Sequence, residues 1–202
     1  MRYRRCGDQG VLIEVDGPVL PLLEAAKEAG LPGVQDLVPG DATLLVLARS
    51  AADLDGVLPL IQALEPSPAS AVASAELEVP VTYDGPDLQA VAEAWNVDAD
   101  TVVRRHVEAT WTVVFTGFSP GFGYLRTQSD WPVVTRRESP RTRVPAGSVA
   151  LAGRYAGIYP RDSPGGWQLI GSTGLDLFDP DRDPPALLWP GRIVRFREVG
   201  QA

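Results

Sequence analysis

The chain has 202 residues, a formal net charge of −8, 45% hydrophobic residues, 20 glycines and 19 prolines. That length allows one large domain or two small ones, the apolar content argues against disorder, and the acidic balance disfavours nucleic acid as a partner. The density of helix breakers disfavours an all-helical architecture and favours short strands with tight connections.

After the Gly7-Asp8-Gln9-Gly10 turn, residues 11–15 read as a strand. Residues 19–29 place Leu20, Leu23 and Ala26 opposite Glu24, Lys27 and Glu28, which predicts an amphipathic helix stopped by Gly30. VQDLV and TLLVLA flank Pro39-Gly40-Asp41 and predict a hairpin. Residues 52–64 predict a second helix despite Gly56 and Pro59. The order β-α-β-β-α describes a small α+β sheet with helices on one face. Residues 66–75, PSPASAVASA, read as a linker between an N-terminal domain, 1–68, and a second domain, 69–202. LEVPVTY opens the second domain as a strand. PDLQAVAEAW and DADTVVRRHVEA predict helices, the latter capped by Asp98 or Asp100. From Trp111 onward, WTVVF, SVALA, GIYP, WQLIG, ALLWP and RIVRF recur between Gly/Pro turns, which predicts a β-barrel or compact sandwich.

The single cysteine, Cys6, leaves no internal disulfide, so a reducing, cytoplasmic location is expected. No stretch approaches the roughly 18 apolar residues of a membrane span, and the basic N-terminus lacks the apolar run of a signal peptide. Cys6 and the one histidine, His106, are far apart, so no His/Cys metal site is expected. A GxSxG nucleophile elbow is also missing.

Three segments carry candidate chemistry. FTGFSPGFGYL, residues 115–125, places Gly117, Gly121 and Gly123 at spacings that fit neither a P-loop nor a dinucleotide turn, and Pro120 opposes a helix start. It is either a loop stapled onto the core or a pocket wall, with Phe118, Phe122 and Tyr124 as apolar surface. Between Arg136 and Arg161 lie six arginines and one acid, Glu138, which form either a solvated face or a site for a carboxylate or phosphate. Arg141 and Arg143, if extended, point to one face, balanced by Glu138 or Asp162 or by a bound anion. In the third segment, GIYPRDSPGGWQLIGST (residues 157–173), Trp167 reads first as core and second as a ligand contact, and Asp162 beside Arg161 first as an exposed pair and second as an acid/base group. Gln168 is polar in an apolar run, needs partners and suits an amide or lactam.

GDQGVLIEV, VQDLVPGDATLLV, His106 with WTVVF, GFSPGFGYL, PRTRVPAGSVALAG and GIYPRDSPGGWQLIG together resemble the KipI/PxpB family. The family is also called allophanate hydrolase subunit 1 or carboxyltransferase subdomain C/D. The resemblance spans nearly the whole chain. It implies a small α+β N-terminal domain followed by a cyclophilin-like β-barrel. It implies a hydrolase subunit, active with a KipA/PxpC-type partner (allophanate hydrolase subunit 2) and a LamB/YcsF-type third subunit. Such complexes open 5-oxoproline to glutamate with ATP and Mg²⁺, bound here or by a partner. Other members inhibit a sporulation histidine kinase or transfer carboxyl groups from biotin in urea carboxylase. His106 matches the family's histidine upstream of its Gly-Phe-Pro-Gly-Phe motif, Trp111 stands where Tyr is common, and RTQSDWPVV replaces a Gly-rich acidic extension. For a small anionic lactam, Arg141 and Arg143 are the expected carboxylate partners and Gln168 the lactam partner. Phe118, Pro120, Phe122 and Tyr124 form the expected wall, and His106 is either the general acid/base or a helix-surface or capping histidine.

Overall fold

The structure is a computed structural model and describes residues 1–65 and 76–200. The chain divides into two compact units, Met1–Ala73 and Ser74–Ala202. The predicted linker and the 68/69 boundary fall outside the described residues.

In the first unit, β1 (Arg2–Cys6), β2 (Gly10–Glu14), β3 (Val34–Pro39) and β4 (Thr43–Ala48) form an antiparallel sheet of order β1-β2-β4-β3. Val11 and Ile13 of β2 and Leu44, Val46 and Ala48 of β4 are buried at the period of two that a half-covered sheet requires. They share one core with Leu22 and Leu23 of α1 (Leu20–Glu28) and Leu54, Val57 and Ile61 of α2 (Ala51–Gln62). Ser50 caps α2 by accepting from the Asp53 N–H at 3.1 Å. The breakers Gly56 and Pro59 both lie on the exposed face of that helix, where no packing is lost. Strand β1 has no counterpart in the sequence reading, because RYRRC is a polar edge strand with only Tyr3 half-buried.

The second unit contains β5 (Leu77–Val81), α3 (Leu88–Trp95), α4 (Ala99–Glu108), β6 (Trp111–Thr116), β7 (Gly123–Thr127), β8 (Arg141–Val144), β9 (Ser148–Ala152), β10 (Tyr155–Ile158), β11 (Ser163–Gly165), β12 (Gln168–Ser172) and β13 (Ile193–Glu198). Seven strands form one sheet, β12-β9-β10-β7-β6-β13-β5. Its two edges meet: Thr82 N donates to Ser172 O at 2.9 Å and Ser172 N to Thr82 O at 2.8 Å. The unit is therefore a nearly closed barrel rather than a sandwich, and the meeting of its edges covers part of the backbone that an open sheet would expose. Asp98, not Asp100, caps α4, accepting from Thr101 N–H at 2.7 Å. The run ALLWP is not a strand, and only Ala186 pairs, with Phe178.

Strand β9, SVALA, is buried along its whole length and faces two cores. Val149 and Leu151 enter the main core with Trp111, Leu125, Ile158 and Phe196. Ala150 and Ala152 enter a second core with Phe122, Tyr159, Trp167 and Leu169. The separate ribbon of β8 and β11 supplies Val144 to that second core. No helix among the described residues is long and apolar enough to cross a membrane.

Candidate binding cleft on the barrel

A cleft of about 270 Å³ opens onto the second core. Phe118, Phe122, Tyr124, Arg136, Tyr159 and Trp167 line it, with Pro140, Pro164 and Gly165 of β11, and Gly166. The turn before β7 sets the aromatic wall. Ser119 N donates to Gly117 O at 2.7 Å, and Phe118 between them has φ of +67°. This is a γ-turn of the strained hand, uncommon for a bulky residue. It holds Phe118 at the lip, 58% exposed, while Phe122 is 2% exposed at the floor. Phe122 meets Trp167 edge to face at 5.5 Å and Tyr159 at 5.4 Å, the offset geometry that the ring quadrupoles favour.

Two glycines permit this packing. A Cβ on Gly157 would lie 2.9 Å from Phe122 Cζ and 3.0 Å from Trp167 Cζ3. A Cβ on Gly165 would lie 2.3 Å from Tyr159 Oη. Tyr159 is locked in the core, so Gly165→Ala is expected to displace its ring and cost about 1–3 kcal/mol by overpacking. Thermal unfolding should show the loss, and the intrinsic fluorescence of Trp167 should shift with it.

Burial pushes the Tyr159 hydroxyl up, opposed by the Trp167 backbone N–H and by the charges of Arg136 and Arg141. The Arg136 guanidinium lies over the Trp167 ring, 5.9 Å from its centroid.

The arginine pair expected to clamp an anion is arranged otherwise. Arg141 donates to Asp87 Oδ1 at 2.8 Å, and Arg137 donates to the same oxygen at 3.1 Å. Asp87 Oδ2 accepts from Leu169 N–H at 2.7 Å, and Asp87 N–H donates to Leu169 O at 2.9 Å. Asp87 thus binds β12 as a strand residue would. Burial raises its carboxyl pKa, but the hydrogen bonds from Arg141 and Leu169 and the two guanidinium charges outweigh it and hold it below the usual carboxylate range. Arg143 donates to Asp162 Oδ2 at 2.7 Å, and Asp162 also accepts from Ala146 N–H at 2.9 Å. Arg141 and Arg143 therefore do not converge on one anion, and neither lines the cleft. Asp162 pairs with Arg143 instead of its neighbour Arg161.

Gln168 donates to Thr135 O at 2.9 Å, so its amide binds a loop of the chain itself. Pro120 is exposed and does not line the cleft. His106, on α4, has no exposed surface. Its Nδ1 lies 2.7 Å from the Tyr83 hydroxyl, and its ring packs 4.1 Å from Phe196 and 5.2 Å from Trp111. These neighbours belong to the main core, not to the core beneath the cleft. Burial lowers its pKa to about 3, which leaves the imidazole neutral at physiological pH. Of the eight side chains expected at a site, Phe118, Phe122 and Tyr124 come together at the cleft. Among the described residues, no three His, Cys, Asp or Glu side chains are grouped to hold a metal ion.

Asp87, Arg136 and Tyr159 do not stand out in the sequence. Asp87 is there one residue of the predicted helix PDLQAVAEAW with no role of its own, and Arg136 is one member of the arginine run.

The small α+β unit and the barrel that follows it share the fold of carboxyltransferase-type domains. Residues 1–188 match the family described as carboxyltransferase domain, subdomain C and D, and the chain belongs to that family. It is 39% identical over 210 residues to the B subunit of 5-oxoprolinase from Escherichia coli O157:H7, covering 97% of this chain and 96% of that protein. It is 42% identical over 145 residues to the B subunit of 5-oxoprolinase from Haemophilus influenzae, 68% of each. The structure matches that of TTHA0988 with a TM-score of 0.80 and 35% identity, covering 96% of this chain but 40% of that one. It matches the conserved uncharacterized protein PH0987 from Pyrococcus horikoshii with a TM-score of 0.60 and 31% identity, covering 99% and 98% of the two chains. The urea amidolyase of K. lactis shares the fold, with a TM-score of 0.74 at 20% identity over 98% of this chain and 15% of that one. The KipI/PxpB resemblance is thereby confirmed.

Proposed function

We propose that the chain is a subunit of a 5-oxoprolinase-type complex, a hydrolase whose barrel cleft helps to hold 5-oxoproline while it is opened to glutamate. The observation that carries this reading is the near full-length similarity, at 39% identity, to a protein named as the B subunit of 5-oxoprolinase. The cleft supports it: at about 270 Å³ it falls just under the ~300–1,000 Å³ range of drug-sized pockets and suits one small ring. Five aromatic side chains offer apolar faces and one arginine offers charge.

Mg-ATP does not fit this cleft. A triphosphate calls for several donors and an oxygen-ligated metal, and a single guanidinium lines the space. In this reading a KipA/PxpC-type partner or a LamB/YcsF-type third subunit holds ATP and Mg²⁺, and the complex works in the cytoplasm. His106 contributes to the fold rather than to proton transfer.

The test is substrate choice. The chain is assembled with those two partners, and ADP release is followed with 5-oxoproline or with urea plus bicarbonate. Release driven by 5-oxoproline, with glutamate formed, is expected. Turnover of urea and bicarbonate alone, or tight binding of a histidine kinase with neither activity, would overturn the proposal.

A further inference from the structure

We infer that Arg136 is the specificity-determining residue of the cleft and binds the carboxylate of a small ring compound. The inference rests on the cleft being the substrate site. Arg137 and Arg141 are held by Asp87, Arg143 by Asp162, Arg154 donates to Trp131 O at 3.4 Å, and Arg161 does not line the cleft. Arg136 is the arginine that lines the cleft, and no acid lines it. The cleft therefore carries a net positive charge, which favours an anion.

The segment around Arg136 is tied to the barrel on both sides. Val134 pairs with Gly153 through hydrogen bonds of 2.8 and 2.7 Å. Thr135 O accepts from Gln168, and Arg137 N donates to Gly166 O at 2.8 Å. The Arg137 side chain is anchored on Asp87. Between these tethers the Arg136 side chain is exposed, in no ion pair among the described residues, and seated over Trp167. A guanidinium over a ring keeps its N–H edge available for a planar carboxylate, and its five donors allow a bidentate contact. Fixed surroundings reduce the ordering cost of that contact. Gln168 and Arg137 then act as positioning residues for the segment, and the Phe118, Phe122 and Trp167 rings flank the ring of the ligand.

The test uses charge. The full-length chain is titrated with cyclopentanecarboxylate and with the neutral cyclopentanecarboxamide, following the Trp167 indole N–H by NMR. The acid should bind about tenfold or more tightly than the amide. In Arg136→Gln the two should bind alike, and Arg136→Lys should keep part of the preference. Arg136 is exposed, so these variants should unfold at the wild-type temperature. In the assembled complex, Arg136→Gln should raise KM for 5-oxoproline about tenfold or more with kcat largely kept. Equal binding of acid and amide by the wild type, or a preference that survives in Arg136→Gln, would overturn the inference. If the complex turns over 5-oxoproline with an unchanged KM in Arg136→Gln, the inference fails and the proposed function stands. If the wild-type complex ignores 5-oxoproline while the Arg136-dependent preference holds, the reverse is true.

Discussion

Replacing Asp87 with alanine is expected to destabilise the second unit by roughly 3 kcal/mol or more, the range for removing one partner of a buried ionic network. The Asp87 side chain is 5% exposed, against 21% for Arg141 and 36% for Arg137. Its loss leaves two guanidiniums facing one another without an acid, and Leu169 N–H without its acceptor. The seam of the barrel is affected as well, because Asp87 continues the pairing that Thr82 and Ser172 begin. Asp87→Asn keeps the shape and an acceptor for Leu169, so its loss should be smaller. Denaturant midpoints of both variants measure this, read at constant m-value. A wild-type midpoint for Asp87→Ala would show that the network is not a main support of the barrel.

His106 sets the second large effect, a stability that falls with acid. The imidazole has a pKa of about 3 when folded, against 6.5 ordinarily, because burial disfavours the cation. Between those values the unfolded chain binds a proton that the folded chain does not, so stability is full above pH 6.5 and declines toward pH 3. The limiting slope for one group is about 1.4 kcal/mol per pH unit. His106→Gln, which keeps a hydrogen-bonding group for the Tyr83 hydroxyl, should be less stable at neutral pH because the amide packs poorly against Phe196 and Trp111. It should also lose most of the slope between about pH 6.5 and pH 4. Chemical denaturation across that range checks both statements, and an unchanged slope in the variant would assign the acid sensitivity elsewhere. The same variant in the complex should keep its kcat per folded molecule, as a core histidine requires.

The periodic parts of the fold are legible in the sequence. Alternating burial in TLLVLA, the helix faces of residues 20–28 and 99–108, and the short apolar runs WTVVF, SVALA, GIYP, WQLIG and RIVRF specify their elements locally, whereas ALLWP does not become a strand. What local pattern does not carry is long-range. Strand β1 is specified by pairing with β2, not by its own polar sequence. The choice of barrel over sandwich depends on Thr82 meeting Ser172, ninety residues apart in the chain. The site divides in the same way. The aromatic wall of GFSPGFGYL is readable because its residues are neighbours in sequence. The arginines are readable as a cluster but not by their partners, since Asp87 lies 54 residues before Arg141. Spacing in an extended strand suggests that Arg141 and Arg143 act together, yet each finds its own acid. Gln168 needs a partner, as expected of a half-buried amide, and Thr135 O supplies it. The lone histidine looks chemical by its rarity, and complete burial places it in the core.

The most direct measurement of the central claim titrates this chain into its two partner subunits at fixed 5-oxoproline and ATP. The proposed role requires ADP release and glutamate formation that rise together with added chain and saturate at a fixed subunit ratio. ADP release and glutamate formation that are already maximal without the chain would contradict it.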